Sequence, residues 1–302
     1  MMQQEGTILK GVGGLYTVRM ADGTLLECKA RGIFRKENIS PLAGDRVAVT
    51  VDTATIEAIL HRKNSLVRPR MANIDQMVIV SSMAEPALNL FILDKMTAVA
   101  VSKGMEPIVV LTKADLASAD RAKAIYDTIG MKCLCITPEA SEEALEPLKA
   151  WLKGKLSAFT GNTGVGKSTL LGRLMHCELE TGDVSRKLGR GRHTTRQVEL
   201  YELPDGGYAA DTPGFSTLDI ERYELVRRED LPHSFPEFAP YLDDCRFTSC
   251  THRKEQGCAV CAAVAAGKIP ASRHESYCRM YDEVKDLKEW EHPVSAPKKR
   301  PR

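Results

Sequence analysis

Between residue 1 and about residue 65 the chain alternates apolar and polar positions in short runs, TILKGVGGLYTVRMADGTLLECKARG, then DRVAVTVD and TIEAILH, broken by glycine and turn residues. A period of two is the mark of half-buried strands. The pair Asp22-Gly23 predicts a hairpin, and the strand spacing predicts a small five-stranded β-barrel of the OB-fold type. From residue 75 the pattern changes: DQMVIVSS and PIVVLT are apolar runs of strand length, followed by helical segments LDKMTAVAVSKG and ADRAKAIYDTIG. MKCLCIT, SEEALEPLKAWLKG and KLSAFTG continue this α/β alternation, and a hairpin is expected around Pro204-Asp205-Gly206-Gly207. After about residue 220 the rhythm stops. Prolines, a cysteine cluster and the amphipathic stretch HESYCRMYDEVKDLKEW predict a small helical domain held by metal. The expected architecture is multidomain, with a barrel at 1–65, an α/β domain at 66–220, a C-terminal helical domain at 221–290 and a basic flexible tail at 291–302.

Composition narrows the class. The 302 residues are 43% hydrophobic and 27% charged, with no apolar run long enough to span a bilayer, so no membrane partner is expected. The start, MMQQEGTILKG, lacks the basic, apolar and small-residue regions of a signal peptide, which points to a cytoplasmic location. A net charge of +2 does not by itself argue for nucleic acid. The basic residues are unevenly placed, however: Arg186, Lys187, Arg190, Arg192 and Arg196 form a run with no acid inside it, and the chain ends in PKKRPR. Of nine cysteines, five fall between Cys245 and Cys278, and in a reducing compartment such clustering points to a metal centre.

The chemistry begins at residue 161. Gly161, Asn162, Thr163, Gly164, Val165, Gly166, Lys167, Ser168 and Thr169 satisfy G-x-x-x-x-G-K-S/T, with the predicted strand LSAFT before them and the helix STLLGRLM behind. Glycines let backbone N–H groups wrap phosphates, Lys167 reaches the β/γ oxygens, and the Ser168 hydroxyl suits Mg2+. Asp211-Thr212-Pro213-Gly214 reads as D-x-x-G, its aspartate acting on Mg2+ and the Gly214 N–H on the γ-phosphate. Upstream, Thr112-Lys113-Ala114-Asp115 follows the strand PIVVL and resembles the N-K-x-D guanine motif; the Asp115 carboxylate can accept two hydrogen bonds from guanine that adenine cannot supply. The base motif therefore precedes the phosphate loop, which is the order of a circularly permuted GTPase.

With barrel, TKAD, GNTGVGKST, GRGRHTTR, DTPGF and a Cys/His cluster in that order, the chain resembles the RsgA/YjeQ/YloQ family of circularly permuted bacterial GTPases over nearly its whole length. The stretch KNSLVRPRMANID resembles the family's junction between barrel and GTPase domain. The resemblance implies GTP and GDP as ligands, hydrolysis with Mg2+, and action as a late maturation factor on the small ribosomal subunit and its ribosomal RNA. The barrel would bind RNA, and the protein is expected to act as a monomer. One departure is Thr112 where the family pattern has Asn: a single hydroxyl replaces a carbonyl and an amide, which predicts a weaker tether to the base and the phosphate loop, while intact Asp115 preserves guanine selectivity.

Two further groups complete the reading. In LGRGRHTTRQ, the expected mobile switch, similarity to the GTPase pattern makes Thr195 the Mg2+-sensing threonine, with Thr194 as the second candidate. Phe215 stands near where many GTPases carry a water-positioning glutamine, so His193 becomes the candidate to orient the attacking water; the alternative is that His193 is only loop surface. In CRFTSCTHRKEQGC, Cys245, Cys250, His252 and Cys258 offer three thiolates and an imidazole, a closed and hence structural Zn2+ shell, and the family resemblance selects the same four. Cys261 and Cys278 are rival ligands by proximity, though their flanks read as helix positions facing a core. The competing function is an RNA-binding adaptor that uses GTP as a structural switch without meaningful turnover.

Overall fold

The computed structural model of the chain describes residues 3–37, 39–176, 198–211 and 224–287, excepting the side chains of Arg35 and Asp211. Its contacts divide into two compact units, Met1–Met77 with Ser141–Thr160 and Gly166–Phe215, and Val78–Ala140 with Gly161–Val165 and Ser216–Arg302.

In the first unit the predicted barrel forms from β1 (Gln3–Val12), β2 (Leu15–Met20), β3 (Leu25–Ala30), β4 (Arg46–Thr50) and β5 (Thr55–Ile59). β1 pairs with both β2 and β4, β3 pairs with β2 and runs parallel to β5, and β4 pairs with β5, so the sheet closes on itself. Closure has a cause in β1. Its register against β2 shifts between Ile8 and Lys10, an irregularity that bends a strand, so its first half serves β4 and its second half β2. Gly6 belongs to both ladders, and a Cβ there would lie 2.5 Å from Val18 Cγ1 and 2.9 Å from the Arg19 carbonyl. The inward positions Ile8, Val18, Met20, Cys28, Val47, Val49 and Ile56, with Phe34 from the four-residue helix α1 (Ile33–Lys36), fill the interior. The Asp22-Gly23 turn forms as expected: Gly23 N–H donates to the Met20 carbonyl at 3.0 Å, and Asp22 Oδ1 accepts from Thr24 N–H at 2.9 Å.

The same unit holds β6 (Ser65–Leu66), β7 (Met71–Ala72), the helix α4 (Glu146–Leu152), β11 (Leu156–Thr160), β12 (Glu199–Glu202) and β13 (Tyr208–Asp211). β11 and β13 are parallel, and β12 and β13 form the hairpin expected around residues 204–207. β12 meets β1 through Lys10 and Glu199, whose side chains pair at 3.0 Å.

The second unit carries the alternating elements: β8 (Gln76–Ser82), which starts in the first unit, α2 (Leu90–Ser102), β9 (Glu106–Thr112), α3 (Asp120–Thr128) and β10 (Lys132–Cys135). The strands lie in the order β10-β9-β8, β9 and β10 parallel. Unbroken apolar runs, Met77–Val80 and Ile108–Leu111, are what a sheet covered on both faces requires. Asn89 caps α2 by accepting from Ile92 N–H at 3.2 Å, and α2 is buried from Leu93 to Ala100, including Asp94, Lys95 and Thr97.

Past residue 224 two 3-10 turns, Pro232–Ser234 and Pro236–Asp244, precede α6 (Ala259–Ala265) and α7 (Ala271–Val284). Pro232 and Pro236 open the two turns, where a missing N–H costs no bond, and Pro240 inside the second removes a donor that a continuous α-helix would need. Phe235, Phe238 and Tyr277 pack ring on ring, with centroids 4.9 to 5.4 Å apart. Beside them lies Arg273, fully buried. It donates to Asp94 Oδ1 at 2.8 Å, Thr97 Oγ1 at 2.9 Å and Glu237 Oε1 at 2.6 Å, and its guanidinium lies 4.7 Å from the Phe235 ring centre. Asp94 also accepts from Tyr126 at 2.9 Å and Ser276 at 2.6 Å, so this buried carboxylate is satisfied on all sides. Among the described residues no helix is long and apolar enough to cross a membrane.

Candidate functional site

β11 is buried throughout and delivers the chain to the glycine-rich loop, after which α5 (Lys167–Leu174) begins directly at Lys167. The loop's shape follows from its sequence. Gly164 and Gly166 take φ of +82° and +87°, which side-chain-bearing residues rarely adopt. A Cβ on Gly161 would run into the Val80 carbonyl. Val165 is buried as an anchor, while Thr163, Gly164, Ser168 and Thr169 are exposed and Asn162, Gly166 and Lys167 half-buried. An apolar anchor beneath an exposed, left-handed backbone is the arrangement that turns N–H groups toward an anion.

The base motif begins at the last residue of β9. The Thr112 hydroxyl donates to the Val165 carbonyl at 2.6 Å, so the strand end and the phosphate loop are joined directly. The sequence led to a weaker tether than Asn would give; here the one hydroxyl is spent on the loop. Lys113 has φ of +54° and its ammonium donates to the Glu85 carbonyl, Ala114 N–H donates to the Ile136 carbonyl at 3.3 Å, and the Asp115 carboxylate is exposed at the motif's end. Neither the Glu85 carbonyl nor the Val165 carbonyl could be chosen from sequence, because both are backbone acceptors. The Asp211 backbone ends β13. His193, Thr194, Thr195, Gly214, Phe215 and the basic run from Arg186 to Arg196 lie outside the described residues, as does the tail.

The second centre is the cysteine cluster. The ligating atoms of Cys245, Cys250, His252 and Cys258 all lie within 4.8 Å of one another. Cys245 Sγ and Cys258 Sγ stand 3.5 and 3.8 Å from His252 Nδ1 and 3.9 Å from each other. Two backbone donors point at sulfur, Ala259 N–H at Cys245 Sγ and Cys261 N–H at Cys258 Sγ, each at 3.4 Å, which favours the thiolate form. Burial pushes the Cys250 thiol up to about 12 and Cys258 up to about 11, and pushes His252 down toward its neutral form. Three clustered sulfurs beside a neutral imidazole, with the Cys250 and Cys258 thiols resisting charge without a cation, are a donor set that fits Zn2+. Cys261 and Cys278 sit in α6 and α7, as their flanks suggested, but are only half-buried, with sulfurs 4.0 and 3.8 Å from His274 Nε2.

Three residues that the sequence reading passed over hold this centre's loop. Glu255 accepts from Thr251 N–H at 2.8 Å, from the Thr251 hydroxyl, from Arg253 N–H at 2.9 Å and from Lys254 N–H at 3.1 Å. Burial opposes its charge, yet these bonds hold its pKa down at about 2. From α7, His274 Nε2–H donates to the His252 carbonyl and the Tyr277 hydroxyl to the Thr251 carbonyl, each at 2.7 Å. His252 itself has φ of +57°, so these contacts fix a conformation a histidine rarely takes unaided.

Comparison with known proteins bears on both centres. The RsgA GTPase family model matches residues 59–221, and the RsgA N-terminal domain model matches residues 5–59. A small ribosomal subunit biogenesis GTPase RsgA of Caldanaerobacter subterraneus subsp. tengcongensis is 43% identical over 293 residues, covering 95% of this chain and 97% of the relative. Its counterpart in Moorella thermoacetica is 43% identical over 286 residues, covering 93% and 97%. Among solved structures, YjeQ from Thermotoga maritima superposes with a TM-score of 0.79 at 33% identity, covering 95% of this chain and all (100%) of that one. YloQ, a circularly permuted GTPase, superposes with a TM-score of 0.77 at 30% identity, covering 94% and 96%. The likeness runs along almost the entire length, and the chain belongs to the RsgA GTPase family.

Proposed function

We propose that this GTPase is a late maturation factor of the small ribosomal subunit, which binds the subunit through ribosomal RNA, hydrolyses GTP to GDP and phosphate, and is stimulated by the subunit. What carries this reading is likeness across the full length, from barrel to cysteine centre, to proteins named small ribosomal subunit biogenesis GTPase. The barrel, residues 1–65, and the C-terminal domain, 221–290, each contact RNA, the GTPase domain spans 66–220, and the protein works as a cytoplasmic monomer.

Within the GTPase domain, backbone N–H groups of residues 161–166 bind the phosphates, Lys167 neutralises charge that develops between β and γ oxygens, and Asp115 accepts from the guanine edge. The Thr112 hydroxyl, bonded to the Val165 carbonyl, keeps base pocket and phosphate loop in one register. Mg2+ bound with GTP would supply positive charge at the phosphates; Ser168 and Thr195 would hold it with Asp211 acting on it, and the Gly214 N–H would meet the γ-phosphate. His193 orients the attacking water. The cysteine centre holds one structural Zn2+ and takes no part in hydrolysis.

The test is phosphate release from GTP with and without purified small subunits. Strong stimulation is expected; intact nucleotide binding without turnover would select the adaptor instead. His193→Ala should leave GTP and subunit binding nearly unchanged but slow stimulated turnover about tenfold, about 1.4 kcal/mol of transition-state stabilisation. Normal stimulated turnover in that variant would remove His193 from the mechanism.

A further inference from the structure

We propose that Arg246 and Phe247, in the loop between Cys245 and Cys250, form a stacking platform for an unpaired RNA base. The proposal rests on the reading above that ribosomal RNA is a partner, and adds the place and chemistry of one contact.

Residues 246 to 249, Arg-Phe-Thr-Ser, are four consecutive exposed positions. Phe247 is 49% exposed, and it is the one large apolar side chain exposed in the described residues beyond 224. Its neighbour Arg246 holds its guanidinium 5.4 Å from the ring centre. The exposed ring and the guanidinium beside it together offer a π face and a positive charge to a ligand.

The loop is built to hold that ring still. Arg246 N–H donates to the Gly257 carbonyl at 3.0 Å, Cys250 N–H donates to the Phe247 carbonyl at 3.2 Å, and Ala259 N–H points at Cys245 Sγ at 3.4 Å. The backbone on both sides of Phe247 is thus pinned, so a ligand meets a preset face and does not have to order the loop first. Arg253, a second arginine over an aromatic ring, shows the contrast: it lies 5.0 Å from the Tyr281 ring centre and pairs with Asp282 at 3.1 Å, closing the loop onto α7. Among the described residues no carboxylate pairs with Arg246, so its charge is available to a phosphate.

The chemistry selects RNA over protein. A protein interface buries a contiguous apolar centre, and one phenylalanine with no second large apolar side chain exposed among the module's described residues is a poor source of it. One ring is enough for one base, because every base has a π face, and a guanidinium with two hydroxyls, those of Thr248 and Ser249, suits the flanking phosphate and the 2′-OH. An unpaired base is required, since a base stacked in a duplex offers no face to the ring.

The experiment uses the full-length protein and its Phe247→Ala, Phe247→Leu, Phe247→Trp and Arg246→Ala variants. Binding is measured to a short single-stranded oligoribonucleotide, to the duplex of the same sequence, and to purified small subunits. Phe247→Ala and Phe247→Leu should weaken single-strand binding about tenfold, Phe247→Trp should retain it, and duplex binding should change little. Arg246→Ala should weaken binding and flatten its salt dependence. Zinc content and GTP turnover of the free protein should match the parent in every variant. If an alanine variant loses zinc, photocrosslinking from benzoylphenylalanine at position 247 in subunit complexes decides: label on ribosomal RNA supports the platform, and label only on ribosomal protein overturns it. Equal single-strand and subunit binding by parent and Phe247→Ala overturns the platform while leaving the maturation reading intact. Failure of the parent to bind RNA or subunits overturns both.

Discussion

The barrel and the C-terminal module solve one problem, stability in a small volume, by opposite means. The barrel interior is apolar, from Ile8 through Val18, Val47 and Val49 to Ile56, all with no measurable exposure, and its backbone groups are satisfied by closing a sheet. The C-terminal module buries an ionic group instead, where it packs on α2: Arg273 and Glu237 of the module and Asp94 of α2 have side-chain exposures of 4% or less each. It adds a three-ring aromatic cluster and four convergent metal-ligating side chains. The difference teaches where cooperativity resides. Removing a methylene from the barrel leaves a void of limited cost, whereas removing one member of the ionic group strands charges that cannot reach water.

That contrast can be broken at four points, of decreasing effect. Cys250→Ser should lower zinc content well below the roughly one ion per chain expected of a closed structural site, and should raise hydrogen exchange around residues 245–258 while the barrel keeps its protection. If exchange there stays slow, the ionic and aromatic groups hold the module without metal. Arg273→Ala should cost about 3–5 kcal/mol in urea unfolding, and replacing Arg273, Asp94 and Glu237 together by apolar residues of similar volume should recover most of it. A loss below about 1 kcal/mol in the single variant would show that solvent reaches the pair. Ile56→Ala should cost about 2–5 kcal/mol and Ile56→Val about 0.5–1.5, the graded response of a packed core. Glu255→Gln should cost least, and its signature is pH. A carboxylate held at about 2 in the folded chain contributes stability fully present above its ordinary pKa near 4.5, lost as pH falls through that window toward 2. The variant should lack this acid branch, read as melting temperature against pH; an unchanged branch would mean other carboxylates carry it.

Legibility in the sequence followed the same divide. Alternation exposed every barrel strand, and Asp22-Gly23 and residues 204–207 marked their hairpins, because strand period and turn residues are local properties. The glycine-rich loop ahead of α5 and the grouping of Cys245, Cys250, His252 and Cys258 were legible from spacing, since Gly, Lys, Cys and His in those patterns have few other uses. Arg273 was not. It stands just before the amphipathic stretch HESYCRMYDEVKDLKEW, with nothing local to mark it, and its partners Asp94 and Glu237 are 179 and 36 positions away. His274 and Tyr277 were opaque for the same reason, their acceptors being backbone carbonyls of the metal loop. Thr112 shows the intermediate case: the position was found by motif and the substitution noticed, but the Val165 carbonyl that receives its hydroxyl needed the fold.

The buried arginine also sets a timetable for synthesis. The barrel's five strands are complete by Ile59, so it can close soon after it leaves the ribosomal tunnel. Asp94 is different: its last partner, Ser276, is made 182 residues later, which at ordinary translation speeds is roughly 10–40 s. For that interval α2 carries a carboxylate with no guanidinium to receive it, and the core around α2 stays unfinished until α7 emerges. A chain stopped before residue 273 would therefore carry a finished barrel together with an unfinished α2 core, so the order of synthesis sets the order in which the two units can fold.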